Sequence, residues 1–150
     1  VNEDLKTPLE NFIPQLENLT FQTDLGSMLD KTRRIGHLVG VLSPMLDLSP
    51  DETFSAARAA KLCKADLATQ MVVELTSLQG IIGREYALRS GEQEAVASAI
   101  YEHYLPRFPG DQLPATRPGL DPGPLRPQWA IASSLTNMFA QARSIRSGDI

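Results

Sequence analysis

Seven of the eleven prolines in this 150-residue chain fall between Pro106 and Pro127. Proline fixes its own φ and carries no backbone N–H, so that stretch reads as an extended crossing segment or a loop. Regular structure has to be built mainly from the residues before it, and those are written at helical spacing. Thr7-Pro8-Leu9-Glu10 sets a capping residue before a proline at the first helical position and a glutamate three places on, which reads as a helix start that Pro14 then kinks or shortens. Ser27-Met28-Leu29-Asp30 repeats that logic ahead of Met28, Ile35, Leu38, Val39 and Leu42, which run to Ser43-Pro44.

Ser49-Pro50-Asp51-Glu52 is the strongest start signal in the chain. It opens an alanine-rich run in which Phe54, Ala57, Leu62 and Leu67 are the apolar positions, and small residues of that kind let helix backbones approach closely. After a break near Thr76 come Leu78, Ile81, Ile82 and Leu88, closed by Ser90-Gly91. Ser90-Gly91-Glu92-Gln93 is then the expected cap of a helix with Val96, Ala99, Ile100 and Tyr104 on one side. A last helical pattern spans about Trp129 to Arg143. No run alternates at the period of a strand, so the expected fold class is all-α. The length suits one module: residues 1–127, with 106–127 as a proline-rich loop, followed by a terminal helix in 128–150.

Charge and cysteine usage narrow the function classes. The net charge of −4 argues against a free-standing nucleic-acid binder acting through bulk electrostatics. The charge is unevenly spread, however: residues 1–104 hold nine basic and fifteen acidic side chains, and residues 105–150 hold five and three. A local basic surface stays open. The one cysteine, Cys63, cannot close an internal disulfide and sits in an apolar-periodic stretch with no histidine nearby in sequence, which suits a buried structural thiol in a cytoplasmic protein. No run approaches the ~20 apolar residues of a membrane span. The chain opens on Val1 with no basic-then-apolar leader, as a cut inside a longer protein would.

The triplet Lys64-Ala65-Asp66 raises the question of a metal-dependent phosphohydrolase of the HD type. Such a site needs an adjacent His-Asp pair with a further histidine and aspartate, because imidazoles and carboxylates together hold divalent ions around an activated water. Here Ala65-Asp66 stands where the His-Asp pair would be, and a lone aspartate is a poor ligand set. The expectation is therefore no catalytic and no metal-binding residue. Asp66 is left to pair with Lys64, to pair with a neighbouring helix, or to cap backbone donors. His37 reads as a packed or surface histidine. His103, beside the loop, has the better claim to a surface role, against the plainer reading of a helix-end histidine. Gly80 and Gly83 suit close helix packing rather than phosphate binding, and Glu85, Glu92 and Glu94 read as a solvated face.

Two segments carry a family likeness. "KADLATQMVVELTSLQGIIGREYA" and "GEQEAVASAIYEHYLPRFPGDQLP" closely resemble the central region of the beta subunit of bacterial glycyl-tRNA synthetase, through the runs Lys64-Ala65-Asp66-Leu67, Leu78-Gln79-Gly80-Ile81 and Glu102-His103-Tyr104-Leu105-Pro106-Arg107. The upstream "TFQTDLGSMLDKTRRI" resembles it as well, and the likeness covers about residues 5 to 119. The sequence departs from the pattern at Val73, Leu75 and Thr76, where the family usually has Gly, Phe and Pro. It departs again at Ala132-Ser133-Ser134-Leu135-Thr136, which replaces an Ala-Asp-Arg-Leu-Asp core.

The resemblance implies an HD-domain-like helical bundle, incomplete at its C-terminus, whose metal ligands are lost. It implies a non-catalytic module that supports tRNA recognition and subunit assembly within glycine–tRNA ligase. ATP and magnesium are then expected at a separate alpha subunit and no cofactor in this fragment. The implied partners are the alpha subunit, in a heterotetramer of two alpha and two beta chains, and the tRNA for glycine. Lys31, Lys64, Arg84, His103 and Arg107 are the candidate RNA-contacting residues, the four cations through phosphates. A residual nucleotide phosphohydrolase and a purely structural helical domain are the alternatives.

Overall fold

The structure is a computed structural model, and it describes residues 4–22, 25–45, 47–105 and 107–111. The expected helix at 129–143 and nearly all of the proline-rich stretch lie outside the described residues. The all-α expectation holds: the helices are α1 (Met28–Met45), α2 (Pro50–Leu62), α3 (Gln70–Glu74), α4 (Ile81–Arg89) and α5 (Glu94–Glu102), with 3-10 turns before α1, between α2 and α3, and between α3 and α4. The one sheet among the described residues is a small antiparallel hairpin, β1 (Thr20–Gln22) with β2 (Gly26–Ser27).

Local signals decide where the helices begin. Ser49 forms a complete capping box with Glu52, the Ser49 side chain accepting from the Glu52 N–H and the Glu52 carboxylate from the Ser49 N–H. Ser27 and Asp30 exchange the same pair of bonds at the start of α1. The segment Leu9–Asn18 differs from expectation, because it is a 3-10 helix with Pro8 rather than Thr7 at its N-cap. Pro14 lies inside it, where its missing N–H leaves one carbonyl of the preceding turn without its helical donor. Ser90 closes α4 as expected but does not cap the helix that follows. Its hydroxyl accepts the Leu9 N–H at 2.9 Å, and Gln93 caps α5 without a side-chain bond.

The core is two clusters that share α2. Ala59 and Leu62 face one, with Leu9, Phe12, Val96 and Ile100, while Ala56, Ala60 and Cys63 face the other, with Ile35 and Val39. A helix flanked on two sides has little room for bulk, which is why alanines fill its buried positions. The periodicity at Phe54 and Ala57 misleads: both are exposed, because the buried face of α2 runs through Ala56, Ala59 and Ala60 instead. Cys63 is buried, and burial pushes its thiol pKa up to about 11, the behaviour of a packing residue.

Candidate functional site

The Lys64-Ala65-Asp66 triplet sits where the 3-10 turn Ala65–Ala68 meets α4 and the end of α5. Asp66 is fully buried, and its Oδ2 accepts the Gly80 N–H at 2.6 Å. Gly80 is the N-cap residue of α4, so a carboxylate from another element satisfies a donor at this helix start, where the helix dipole also favours negative charge. Of the three roles left open for Asp66, capping backbone donors is the one the geometry fills.

Two glycines make that approach possible. Gly80 has φ +80, and a Cβ there would lie 2.5 Å from the Tyr104 ring. A Cβ on Gly83 would lie 2.7 Å from Ile100 and 3.0 Å from Asp66 Oδ2. Close packing is thus confirmed for both, although Gly80 sits before the helix rather than on its face.

Lys64 is turned inward. Its Nζ lies 2.7 Å from His103 Nε2 and 3.9 Å from the centre of the Tyr104 ring. His103 Nδ1 lies 2.6 Å from the Ile100 carbonyl oxygen, an acceptor only, so Nδ1 carries the proton and Nε2 accepts from the lysine. Burial, and then the neighbouring Lys64 charge, hold the histidine well below its ordinary pKa, which keeps the ring neutral. Burial also lowers Lys64 and raises Asp66, opposed in Asp66 by the Gly80 N–H and by Lys64. Asp66 Oδ1 and the Tyr104 hydroxyl are buried and meet no hydrogen-bond partner among the described residues.

Burial divides the candidate RNA contacts. Lys31, Lys64 and His103 are each less than a tenth exposed. Lys31 stacks on the Phe21 ring at 4.0 Å, and burial followed by the Lys64 charge brings its pKa down to about 8. The structure therefore places His103 inside and not at the surface. Arg84 and Arg107 face outward, Arg84 paired with Glu94 at 2.7 Å and Arg107 lying over the Tyr101 ring at 5.2 Å. His37 is exposed. Glu85 and Glu94 are exposed, whereas Glu92 is bound by Arg58 at 2.6 Å and is not a member of a freely solvated face. Sequence spacing gave no sign of the Lys64–His103 contact, because 39 residues separate the two.

Among the described residues no three His, Cys, Asp or Glu side chains come together as a metal site, and no helix is long and apolar enough to cross a membrane. The family model for the glycyl-tRNA synthetase beta subunit matches residues 1–120. The glycine–tRNA ligase beta subunit of Trichodesmium erythraeum is 52% identical over 116 residues, covering 77% of this chain and 16% of the relative. That of Halothermothrix orenii is 54% identical over 114 residues, covering 76% and 17%. That of Persephonella marina is 54% identical over 114 residues, covering 76% and 16%. The chain thus spans about a sixth of the length of these relatives, and it belongs to the glycyl-tRNA synthetase beta subunit family.

Proposed function

We propose that this segment is a non-catalytic, HD-like helical module of a glycine–tRNA ligase, contributing a tRNA-facing surface and a rigid body for subunit assembly. The observation that carries the reading is the use made of the Lys64-Ala65-Asp66 triplet. Asp66 is spent on the start of α4 and Lys64 on His103, so both side chains that could do chemistry there serve packing instead. Membership of a tRNA ligase family supplies the biological setting. In that setting glycyl-adenylate formation, with its ATP and magnesium, takes place on an alpha subunit, the holoenzyme joins two alpha and two beta chains, and the work is done in the cytoplasm.

RNA contact then falls to the outward cations. Arg107 presents its guanidinium on an aromatic ring without a carboxylate in an ion pair among the described residues, and Arg84 shares its own with Glu94. Each phosphate contact contributes about one unit to the slope of log affinity against log salt. In the assembled ligase, Arg107→Ala should weaken tRNA binding and flatten that slope by about one. Arg84→Ala should do less, since Glu94 already neutralises it. If both variants bind tRNA as tightly as the parent at every salt concentration, this surface has no part in recognition and the assembly role alone remains.

A further inference from the structure

Large apolar side chains are left in solvent at one end of the molecule. Residues 46–49 join α1 to α2, and the Asp47 and Leu48 N–H groups bond back to the Pro44 and Ser43 carbonyls, so the end of α1 turns directly into the start of α2. At that tip Val41, Met45 and Phe54 are 48, 74 and 60% exposed. Steps of four residues put His37, Val41 and Met45 on one face of α1, with Gly40 and Pro44 beside them, opposite the buried Ile35, Val39 and Ser43. A Cβ on Gly40 would meet nothing within 4 Å, so the middle of this outer face is open.

The charge around the tip has one sign. From residue 38 to residue 57 the charged side chains are Asp47, Asp51 and Glu52, with no lysine or arginine. Val73 and Leu75, also exposed, belong instead to a stretch of mixed sign that carries Glu74, Arg84 and Glu85. An occupant suited to the tip therefore presents an apolar stripe flanked by basic groups. Residues 129–146, outside the described residues, have that pattern. Ile131, Leu135, Met138 and Ala142 repeat at helical spacing, and the charged side chains are Arg143 and Arg146 alone. Residues 112–128 separate this segment from Asp111, and extended they reach roughly 50 Å. The 18 residues of α1 make a helix about 27 Å long, so that connection spans more than the whole of α1.

We propose that the tip of the α1–α2 hairpin is the docking surface for the chain's own segment 129–146, its apolar stripe on Val41, Met45 and Phe54 and its arginines towards Asp47 and Asp51. Met45 lies on the tip and Met138 on the stripe, so NMR of isotope-labelled methionine methyls in the full chain reads both surfaces at once. The two methyls should be shielded from a soluble paramagnetic probe and linked by a nuclear Overhauser effect. Phe54→Asp should raise the relaxation enhancement of both about three-fold, and Val73→Asp, at a comparably exposed position, should change neither. A cooperative thermal transition in each variant checks that the body stays folded. Arg143→Glu with Arg146→Glu should release the segment as well, and Asp51→Lys in that background should restore part of the shielding. A Met138 methyl that is accessible in the parent, or that stays shielded in Phe54→Asp, overturns the proposal. Shielding that grows with chain concentration gives the tip to a second copy and overturns it too.

Discussion

Two concentrations of charge among the described residues are built in opposite ways. Around Arg58, four charged side chains meet at the rim of the fold: Arg58 binds Glu92 at 2.6 Å and Glu10 at 2.7 Å, and Lys61 also reaches Glu10. Around Lys64, two charged groups and a histidine meet inside it, with a neutral imidazole and backbone N–H groups as partners instead of opposite charges in direct contact. The difference teaches where each cluster can act. Rim charges are screened and exchangeable, whereas inner ones are costly to disturb, because every partner removed strands another in low dielectric.

The largest effect is expected where backbone and packing both resist change. Gly80→Ala forces a Cβ into the Tyr104 ring at a φ that side chains rarely adopt, and it disturbs the N–H that Asp66 accepts. Strain and overpacking together should cost about 3 kcal/mol of unfolding free energy, measured by denaturant titration. A loss under about 1 kcal/mol would mean that the Tyr104 side chain moves aside freely and that the inner cluster is softer than it looks.

Next in size is the lysine. Lys64→Met removes the ammonium that His103 Nε2 accepts from, and the loss of that buried bond should cost roughly 1–3 kcal/mol. Adding His103→Leu should recover part of that loss, since it removes the stranded ring nitrogen but also the Nδ1–H bond to the Ile100 carbonyl. Strictly additive losses in the double variant would break the contrast drawn here, by showing that the two residues do not depend on one another.

The inner cluster also sets a pH dependence. His103 is held below its ordinary value of 6.5, so near that pH the unfolded chain takes up a proton that the folded one refuses. Its contribution is therefore present above that value and is lost as pH falls through the unfolded pKa towards the lower folded one. The groups around it point both ways: Lys64 and Lys31 oppose the extra charge, while Asp66, itself raised by burial, releases stability in the other direction as pH rises. The clean comparison is the parent against His103→Gln, with thermal midpoints followed from pH 7.5 to 5. The parent should lose more on acidification, and parallel curves would show that the ring is not held neutral.

How far the sequence could be read follows the reach of each interaction. The Ser49–Glu52 box and the Ser90-Gly91 stop are legible because their partners lie within a few residues. In the stop, the Glu92 N–H closes back on the Ala87 carbonyl, the bond expected when glycine follows a helix. Cys63 as a packing thiol was legible from its apolar neighbours. The outward reading of Phe54 and the inward reading of Lys31, Lys64 and His103 were not. A helix shared by two cores buries alanines on both flanks and pushes its large residue out. A lysine's burial depends on an acceptor 39 residues away that no local pattern announces. The family likeness reached the same triplet through residue identity, without indicating which partner each side chain would take.

The rim cluster gives the smallest and most salt-sensitive effect. Arg58 is 23% exposed and joins two carboxylates from different elements, so Arg58→Ala should cost about 0.5–1 kcal/mol at low salt and less at high salt. Lys61 is 53% exposed and touches Glu10 alone, and its removal should be near the limit of measurement. Arg58, with Lys61 behind it, holds the Glu10 carboxyl down at about 2 from its ordinary 4.5. Because the folded value is depressed, its stabilisation is complete above the unfolded pKa and disappears as pH drops from 4.5 towards 2. Glu10→Gln should therefore lie below the parent at pH 6 and converge on it near pH 2. If the gap between them keeps its size throughout that window, the rim cluster is held by hydrogen bonding that does not require the charge. The contrast between the two clusters then reduces to burial alone.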